Sequence, residues 1–566
     1  MKFEDYVYER PDLELMKREF DQSIMQIKEA KNFDEVMTGV EKIQKLTNEI
    51  DTQRTLISIR HSVNTKDWFH EQEQDFWNEQ SPIINDWLAD YYQAVIDSPY
   101  RKELEEVLPS TFFTYAENQL KLNDPKIIPL LQEENRLSTE YGKLRASAEL
   151  EYQGKNYNLF SLGAFLESTD RSVRKEVSQL ILGFYEEHQD EFDEIYDKLV
   201  KVRHEMAQAL GFENFVPIGY LRQGRVGYGP KEVAQYRQYV LDHVVPVAQK
   251  LYKRQQERLN IEPMQHYDWF LTFPTGNATP IGSAEDILQT GVNMYHEMSK
   301  ETGEFIDFMV EKNLLDLVAK PGKDGGGYCT YIPNYQSPFI FSNFNGTSGD
   351  VDVLTHEVGH AFQVYESRWI KTPEAVWPSH DGAEIHSMSM EFFAWPWMEQ
   401  FFGDGANKYK FAHLSDAVQF LPYGVLVDHF QHEVYENPAL TPKERRELWR
   451  QLEREYLPHK EYHENEFLQQ GGFWFQQLHI FTAPFYYIDY TLAQVVALQF
   501  WNRAIIQKDP KAWDDYLALC QKGGTKPFLQ LVEEANLLSP FEEDTFKSVI
   551  AQADQYLSNV SEDTLK

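Results

Sequence analysis

Cysteine is nearly absent from this chain of 566 residues, which contains only Cys329 and Cys520. Two cysteines this far apart argue against a disulfide framework and leave no Cys-x-x-Cys metal site. Long apolar runs are missing too: no stretch of roughly 18 apolar residues could cross a membrane. The first residues contain no apolar segment of the kind found in signal peptides. We therefore expect a cytoplasmic protein without a membrane partner.

Positive charge is also scarce. The chain has 54 Lys and Arg residues against 90 Asp and Glu residues, which gives a formal net charge of −36. Such a surface repels phosphate groups and argues against nucleic acid as a partner. An acidic surface ordinarily serves solubility. The alternative interpretation is that it mildly steers cationic or neutral substrates toward the protein. Aromatic residues, in contrast, are abundant, with 37 Phe, 32 Tyr and 12 Trp, which is typical of a globular protein.

Helical periodicity fills most of the chain. In residues 33–50 and 173–185, apolar side chains recur every three or four positions between charged ones, which predicts helices with one buried face. Proline and glycine mark the expected interruptions, because proline cannot donate a helical hydrogen bond. Helix breaks are predicted at Pro82, Pro99, Pro109 and Pro125, and a short β-hairpin around Gly154.

The clearest β pattern lies between Lys320 and Gly349. A glycine-rich loop there leads into residues 328–332, and a Pro333-Asn334 turn separates these from residues 338–342. Both segments are rich in aromatic and branched side chains, which favour strands. Helical periodicity resumes afterwards and continues toward the C-terminus. The sequence therefore predicts a mainly α-helical fold with a small β-sheet.

The sequence His356-Glu357-Val358-Gly359-His360 follows this β segment. The chain contains six His-Glu dipeptides, and only this one has another histidine four positions after the first. On a helix, side chains four apart lie on one face, so both imidazoles can bind one zinc ion. Glu357 would take a proton from the zinc-bound water and give it to the leaving amine. The motif therefore predicts a zinc peptidase.

The residues around the motif favour a helix. Thr347 and Ser348 offer hydroxyls that could cap its N-terminus. Apolar residues then follow at steps of three and four. They are Val351, Leu354, Val358, Ala361 and Tyr365. This stripe would bury one side of the helix and leave the two histidines on another side.

A third protein ligand is expected, because catalytic zinc usually has three, with water in the fourth position. The acidic candidates downstream are Glu366, Glu374, Asp381, Glu384 and Glu391. Glu366 is too near on the same helix, and Glu374 lies in a loop broken by proline. Glu384 stands near the start of the next helix, with 23 residues between it and His360, so we predict it as the ligand. Glu391 either hydrogen-bonds a ligand histidine or is a solvated carboxylate.

Taken together, these residues resemble the thimet oligopeptidase and oligoendopeptidase F family of zinc metallopeptidases. The resemblance rests on the motif at 356–362, the third-ligand helix at 383–391, the glycine-rich loop and strands at 322–346, and the His- and Tyr-rich stretch at 479–490. It covers about residues 200–566. It implies one Zn²⁺ ion, bound by His356, His360 and Glu384.

The resemblance also implies a fold. Two helical lobes would flank a deep substrate channel, with the small sheet beside the zinc helix. We place the N-terminal helical lobe at residues 1–195 and the catalytic domain at residues 196–566. Such a channel admits short unstructured peptides and excludes folded proteins. Residues 339–342 would form an edge strand that pairs with the substrate backbone, or else a strand buried within the sheet.

The family places a histidine and tyrosines near the C-terminus, where phenol or imidazole donors can stabilise the oxyanion of the reaction. On that basis His479, Tyr487 and Tyr490 are predicted catalytic residues. Tyr486 also shares a helical face with Tyr490 and could contribute to catalysis in the same way. The alternative interpretation is that Tyr486 belongs to an aromatic core.

The predicted function is a zinc metallo-endopeptidase that hydrolyses short oligopeptides. One alternative is a zinc carboxypeptidase with a similar helical channel. Another is a peptide-binding protein with structural zinc, against which Glu357 argues, because a closed zinc site needs no general base. The sequence contains no Gly-x-Met-Glu-Asn stretch of the aminopeptidase kind, and it makes no prediction of oligomeric state.

Overall fold

Helices dominate the structure, a computed structural model that describes residues 1–565. The N-terminal helices are α1 (Leu13–Glu29), α2 (Phe33–Val63), α3 (Trp68–Ile96), α4 (Arg101–Val107), α5 (Ser110–Leu122), α6 (Ile128–Ala146), α7 (Leu159–Gly163), α8 (Arg171–Glu187) and α9 (Gln189–Ala209). The following ones are α10 (Val216–Arg222), α11 (Pro230–Tyr239), α12 (Val245–Leu259), α13 (Ala284–Met298), α14 (Lys300–Glu311), α15 (Gly349–Ser367), α16 (His380–Phe393) and α17 (Met398–Phe402). The last are α18 (Ala406–Glu436), α19 (Pro442–Tyr456), α20 (Glu466–Gln469), α21 (Leu478–Thr482), α22 (Ile488–Trp501), α23 (Lys511–Lys522), α24 (Phe528–Glu534) and α25 (Glu543–Asn559). The predicted mainly α-helical fold is confirmed.

The strands are few and short. They are β1 (Leu150–Tyr152), β2 (Lys155–Tyr157), β3 (Leu315–Val318), β4 (Tyr328–Ile332) and β5 (Ser337–Phe344). The first two form the hairpin predicted around Gly154, with antiparallel pairing. Gln153 and Gly154 at its turn have φ values of 51° and 75°, which are the left-handed values that a tight two-residue turn requires.

Pro82 lies inside α3, where the sequence predicts a break. A proline in a helix removes the hydrogen bond to the carbonyl four residues earlier, which here belongs to Asn78. The side-chain amide of Asn135 on α6 donates to that carbonyl at 3.0 Å. Because a neighbouring helix satisfies the freed carbonyl, α3 continues to Ile96 and the predicted break is wrong. The other three predicted proline breaks fall between helices and are confirmed.

The sheet next to the motif has the strand order β3-β5-β4. Strand β5 pairs in parallel with β3 and antiparallel with β4, and its side chains on both faces are buried. The prediction that residues 339–342 form an edge strand is therefore wrong, because β3 covers the second edge of β5. The edge strands are β3 and β4, and the backbone of β4 forms no hydrogen bond outside the sheet within residues 1–565.

Two hydrophobic cores account for most of the buried side chains. One is formed within α1–α5, between Met16 and Ala116. The larger one holds the helices around the motif and continues to Leu565. The lobe boundary at residue 195 stays a prediction, as does the cytoplasmic location. Within residues 1–565 there is no helix with the length and apolar character needed to cross a membrane.

Candidate metal centre and active site

The motif lies on α15, which packs against α16 and against β5. The predicted helix is confirmed, but its predicted capping is wrong, because Ser348 makes no side-chain cap. The carboxylate of Asp350 instead accepts from the backbone N–H groups of Asn345 and Gly346 at 2.9 and 2.8 Å. These bonds fix the turn between β5 and α15. The sheet and the motif helix are therefore joined by a short, hydrogen-bonded connection.

Three ligand atoms converge between α15 and α16. The Nε2 atoms of His356 and His360 lie 3.2 and 3.3 Å from Oε2 of Glu384, and the candidate ligand atoms of all three residues lie within 4.8 Å of one another. Ligands about 2.0–2.1 Å from a tetrahedral zinc ion are separated from each other by about 3.3 Å. The donor set and its spacing thus fit zinc.

Glu384 is held from two further sides. The hydroxyl of Ser387 donates to its Oε2 at 2.7 Å, and the hydroxyl of Tyr486 donates to its Oε1. The residue is 1% exposed. Burial by itself would raise the pKa of Glu384, but the adjacent His360 and His356 hold this pKa well below its usual range. The carboxylate is therefore ionised and fixed in orientation.

Glu391 joins two histidines. Its Oε1 lies 2.7 Å from Nδ1 of His356, and its Oε2 lies 2.7 Å from Nε2 of His413 on α18. Because the indole N–H of Trp395 donates to Nδ1 of His413 at 2.9 Å, the proton of His413 must be on Nε2. Glu391 thus accepts two hydrogen bonds. The bond to Nδ1 of His356 leaves Nε2 of that imidazole free to bind a metal.

The other three carboxylates that the sequence offers lie elsewhere. Glu374 accepts a hydrogen bond from Tyr92 at 2.9 Å, and Glu366 accepts one from the side chain of Gln521. Asp381 accepts hydrogen bonds from Tyr228 and from Ser379. Of the five candidates, Glu384 and Glu391 are the ones whose carboxylates contact the motif histidines.

Gly359 allows α15 and α16 to approach each other closely. A Cβ atom at position 359 would lie 2.5 Å from the carbonyl oxygen of His386 and 2.6 Å from Cα of Ser387. These distances are shorter than any real contact of a Cβ atom. A glycine between the two histidines is therefore a packing requirement for bringing Glu384 to them.

Glu357 is placed beside the ligand atoms and beneath the glycine-rich loop. It is 5% exposed, and its Oε2 has no hydrogen-bond partner within residues 1–565. A Cβ atom at position 327 would lie 3.3 Å from its Oε1, so Gly327 gives the carboxylate room. Burial raises the pKa of Glu357, and the neighbouring His356 and His360 oppose this shift.

The C-terminal tyrosines surround the same centre in different ways. Nε2 of His479 lies 3.1 Å from the hydroxyl oxygen of Tyr490, whose ring centroid is 6.5 Å from that of His356. Tyr487 packs against Phe420 and lines a cavity that also contains Tyr490 and His479. The hydroxyl of Tyr486 donates a hydrogen bond to Glu384, a predicted metal ligand. The interpretation of Tyr486 as an aromatic core residue did not predict this contact.

His479 is hydrogen-bonded through both ring nitrogens. The side-chain nitrogen of Gln477 lies 2.9 Å from its Nδ1, so Nδ1 accepts and Nε2 carries the proton. Burial lowers the pKa of His479 to about 4, which keeps the imidazole neutral. Nε2–H then donates to the hydroxyl oxygen of Tyr490. This arrangement leaves the hydroxyl hydrogen of Tyr490 available to another acceptor.

Comparison with known proteins agrees with this geometry. The Peptidase family M3 domain matches residues 164–549, and the Peptidase M3 N-terminal domain matches residues 3–123. The chain belongs to Peptidase family M3. The resemblance inferred from the motifs is thereby confirmed.

Solved M3 structures extend the similarity over the whole chain. The protein is 51% identical to PZ peptidase A with inhibitor 2, with a TM-score of 0.98 and 100% of both chains covered. It is 50% identical to a proposed oligoendopeptidase F from Bacillus anthracis str. Ames, with a TM-score of 0.94 and coverage of 100% of this chain and 99% of that one.

Curated M3 relatives are more distant. Group B oligopeptidase PepB from Streptococcus agalactiae serotype III (strain NEM316) is 20% identical over 386 residues, which are 66% of this chain and 61% of PepB. The oligoendopeptidase F homolog of Mycoplasma genitalium (strain ATCC 33530 / DSM 19775 / NCTC 10195 / G37) is 23% identical over 311 residues, which are 52% of this chain and 48% of that protein. The chain thus matches less than two thirds of the length of either relative.

Proposed function

We propose that this M3 peptidase is a zinc-dependent endopeptidase that cuts short, unstructured peptides at internal bonds. The observation that carries the proposal is the pair of ligand spacings of 3.2 and 3.3 Å between Glu384 and the two histidines. They match the edge of a zinc tetrahedron. The names of the relatives, oligopeptidase and oligoendopeptidase F, support peptide substrates of limited length.

The roles of the surrounding residues follow from their contacts. When bound, zinc polarises a peptide carbonyl and acidifies a water molecule. Glu357, with one unpaired oxygen next to the ligands, takes the proton from the attacking water and gives it to the leaving amine. The free hydroxyl hydrogen of Tyr490 donates to the substrate oxygen on which negative charge develops. His479 keeps that phenol oriented, and Tyr487 lines the adjacent wall.

Substrate backbone can be recognised by the edge strand β4. Three of its residues, Tyr328–Thr330, line a cavity of about 590 Å³ together with side chains of α2, α3 and α6. An extended peptide can pair with such an edge through main-chain hydrogen bonds. The cavity has room for a single peptide chain. A folded protein would have to unfold a long segment to enter, which costs free energy that a narrow cavity does not return.

Peptides with blocked ends separate this function from the alternative zinc carboxypeptidase. Peptides of about ten residues with an acetylated N-terminus and an amidated C-terminus would be incubated with the enzyme, and the products identified by mass spectrometry. Internal cuts are expected. Trimming of single residues from free C-termini, with amidated peptides left intact, would instead support the carboxypeptidase.

Two controls complete the experiment. Glu357→Gln should keep its metal and lose turnover by several orders of magnitude, because general-base catalysis is removed. Native globular proteins should survive long incubation. Near wild-type activity of Glu357→Gln would contradict the mechanism, and rapid conversion of denatured casein to small fragments would contradict the narrow substrate channel.

A further inference from the structure

A second cavity of about 310 Å³ adjoins the metal centre and is rich in carboxylates. We name it the acidic cavity. Its wall includes Asp352, Glu391, Asp416, Tyr487 and Gln494. It lies between the N-terminal half of α15, α16, α18 and α22. The side chains Met388 and Phe420 add apolar wall, so the cavity has an apolar flank and a negatively charged end.

The carboxylates of the acidic cavity differ in their partners. Both oxygens of Glu391 are occupied by histidines, and Asp352 accepts a hydrogen bond from Tyr409. Asp416 is exposed at the cavity wall. Within residues 1–565 no hydrogen bond to its carboxylate is formed, and no Lys, Arg or His nitrogen comes within 4.0 Å of it. Asp416 therefore has no direct ion-pair partner, because His413 on the same cavity wall is paired with Glu391.

The surroundings make an ionised Asp416 unfavourable. The enclosing protein raises the pKa of Asp416 to about 7, and the charge of Asp352 adds to this shift. Burial likewise raises the pKa of Asp352 to about 6. A cation placed between the two carboxylates would remove this cost, because opposite charges within a few ångström favour the ionised forms.

Gln494 adds a polar side chain with an unpaired donor to the wall of the acidic cavity. Its side chain is 5% exposed and lines the acidic cavity. Its amide nitrogen has no hydrogen-bond acceptor within residues 1–565. Buried polar groups in native proteins are nearly always hydrogen-bonded. A peptide carbonyl bound in the adjacent cavity would supply the missing acceptor once the side chain turned toward it.

We propose that the acidic cavity is a substrate subsite that selects a lysine or arginine side chain close to the cleaved bond, with Asp416 as the residue that determines this specificity. The inference rests on the proposed peptidase function. Asp352 precedes His356 by four residues on α15, so the cavity begins about one helical turn, roughly 5.4 Å, from the first ligand. An extended peptide rises about 3.3 Å per residue. The selected side chain therefore belongs to a residue within about two positions of the scissile bond.

The test compares blocked peptides that differ at one position. Lysine, norleucine or glutamate would be placed in turn at each of the two positions on either side of the cleaved bond. At one of these positions, kcat/KM should be at least tenfold higher for lysine than for norleucine, and lowest for glutamate. Asp416→Asn should lower the lysine-to-norleucine ratio about tenfold. Asp404→Asn, at an exposed position outside the cavity, removes the same charge and should leave the ratio unchanged.

A binding measurement provides a readout independent of turnover. In the Glu357→Gln background, fluorescence titration should give a lower Kd for the lysine peptide than for the norleucine peptide, and Asp416→Asn should remove the difference. Two results would overturn the subsite. One is that the wild-type enzyme cuts the lysine and norleucine peptides with the same kcat/KM, and the other is that Asp416→Asn lowers kcat/KM equally for all three peptides. Failure of the wild-type enzyme to cut any blocked peptide would count against the proposed function instead.

Discussion

The carbonyl oxygen of His386 lies 2.5 Å from the point where any residue other than glycine would place its Cβ atom at position 359. Gly359→Ala must therefore push α15 away from α16, which destabilises a packed core by about 1–3 kcal/mol. Because Glu384 and the histidines are on these two helices, zinc content should fall as well. Denaturant unfolding and metal analysis of the purified variant measure the two effects.

Gly142 on α6 supplies the matched control. A Cβ atom there meets nothing within 4 Å, so Gly142→Ala should stabilise the helix by about 0.5–1 kcal/mol without changing zinc content. If Gly359→Ala behaved like Gly142→Ala, the close approach of the two helices would not be needed to form the site.

The contacts of Glu384 and Glu391 predict different losses of metal. Glu384→Ala removes the carboxylate oxygen that lies 3.2 Å from Nε2 of His356 and 3.3 Å from Nε2 of His360. The purified variant should therefore contain little zinc. Glu391→Ala removes only the acceptor behind His356, a change that typically lowers metal affinity by about 10–100-fold. Titration with a competing chelator distinguishes the two variants. Equal zinc retention in both would mean that Glu384 is not a ligand.

Substitution of the two tyrosines nearest the metal centre should impair different properties of the enzyme. Tyr490→Phe removes the proposed oxyanion donor, and kcat should fall by about 10²–10³ with little change in zinc content. Tyr486→Phe removes a hydrogen bond to Glu384, so its main effect should be weaker zinc binding. Activity measured at saturating zinc therefore recovers Tyr486→Phe and leaves Tyr490→Phe impaired. Recovery of both would remove Tyr490 from the catalytic step.

Glu374 should make stability depend on pH. Burial between α2, α3 and α5 raises its pKa from the usual 4.5 to about 7, so the folded protein holds this proton more tightly than the unfolded chain. Folding stability is then lost as the pH rises from about 4.5 through 7, by up to about 3 kcal/mol. Glu374→Gln stays neutral and should be more stable than wild type at pH 8, with a much smaller difference at pH 5.

Urea unfolding at the two pH values measures this difference. The exposed Glu399 serves as a control, since Glu399→Gln removes the same charge from the surface and should change stability little at either pH. A stabilisation by Glu374→Gln that is the same at pH 5 and pH 8 would contradict the raised pKa.

Local spacing explains why the sequence predicts the centre of the site. His356, His360 and Glu384 are on two consecutive helices, and their roles follow from one helical turn and one short return loop. His413 and Tyr486 reach the same centre from α18 and from the loop before α22. Local spacing does not show their contacts with Glu391 and Glu384, because these partners are 22 and 102 positions away.

Long-range contacts also explain the errors in the predicted fold. Pro82 stays inside α3 because Asn135, 53 residues later, donates to the freed carbonyl. Strand β5 is central because β3 pairs with its far edge, and the short segment Leu315–Val318 carries too few residues to show a strand pattern. Element type can thus be predicted where the signal is local, whereas the position of a strand within a sheet depends on partners that the pattern does not show.

The location of β4 also bears on self-association. An unpaired strand edge is a template on which other copies of a protein can add strands and aggregate. Here the edge strand lines a cavity facing α2 and α3, where the sheet of a second folded copy cannot approach it. A single extended chain still can. The same enclosure that leaves β4 open to a peptide therefore protects this edge from pairing with a second copy of the protein.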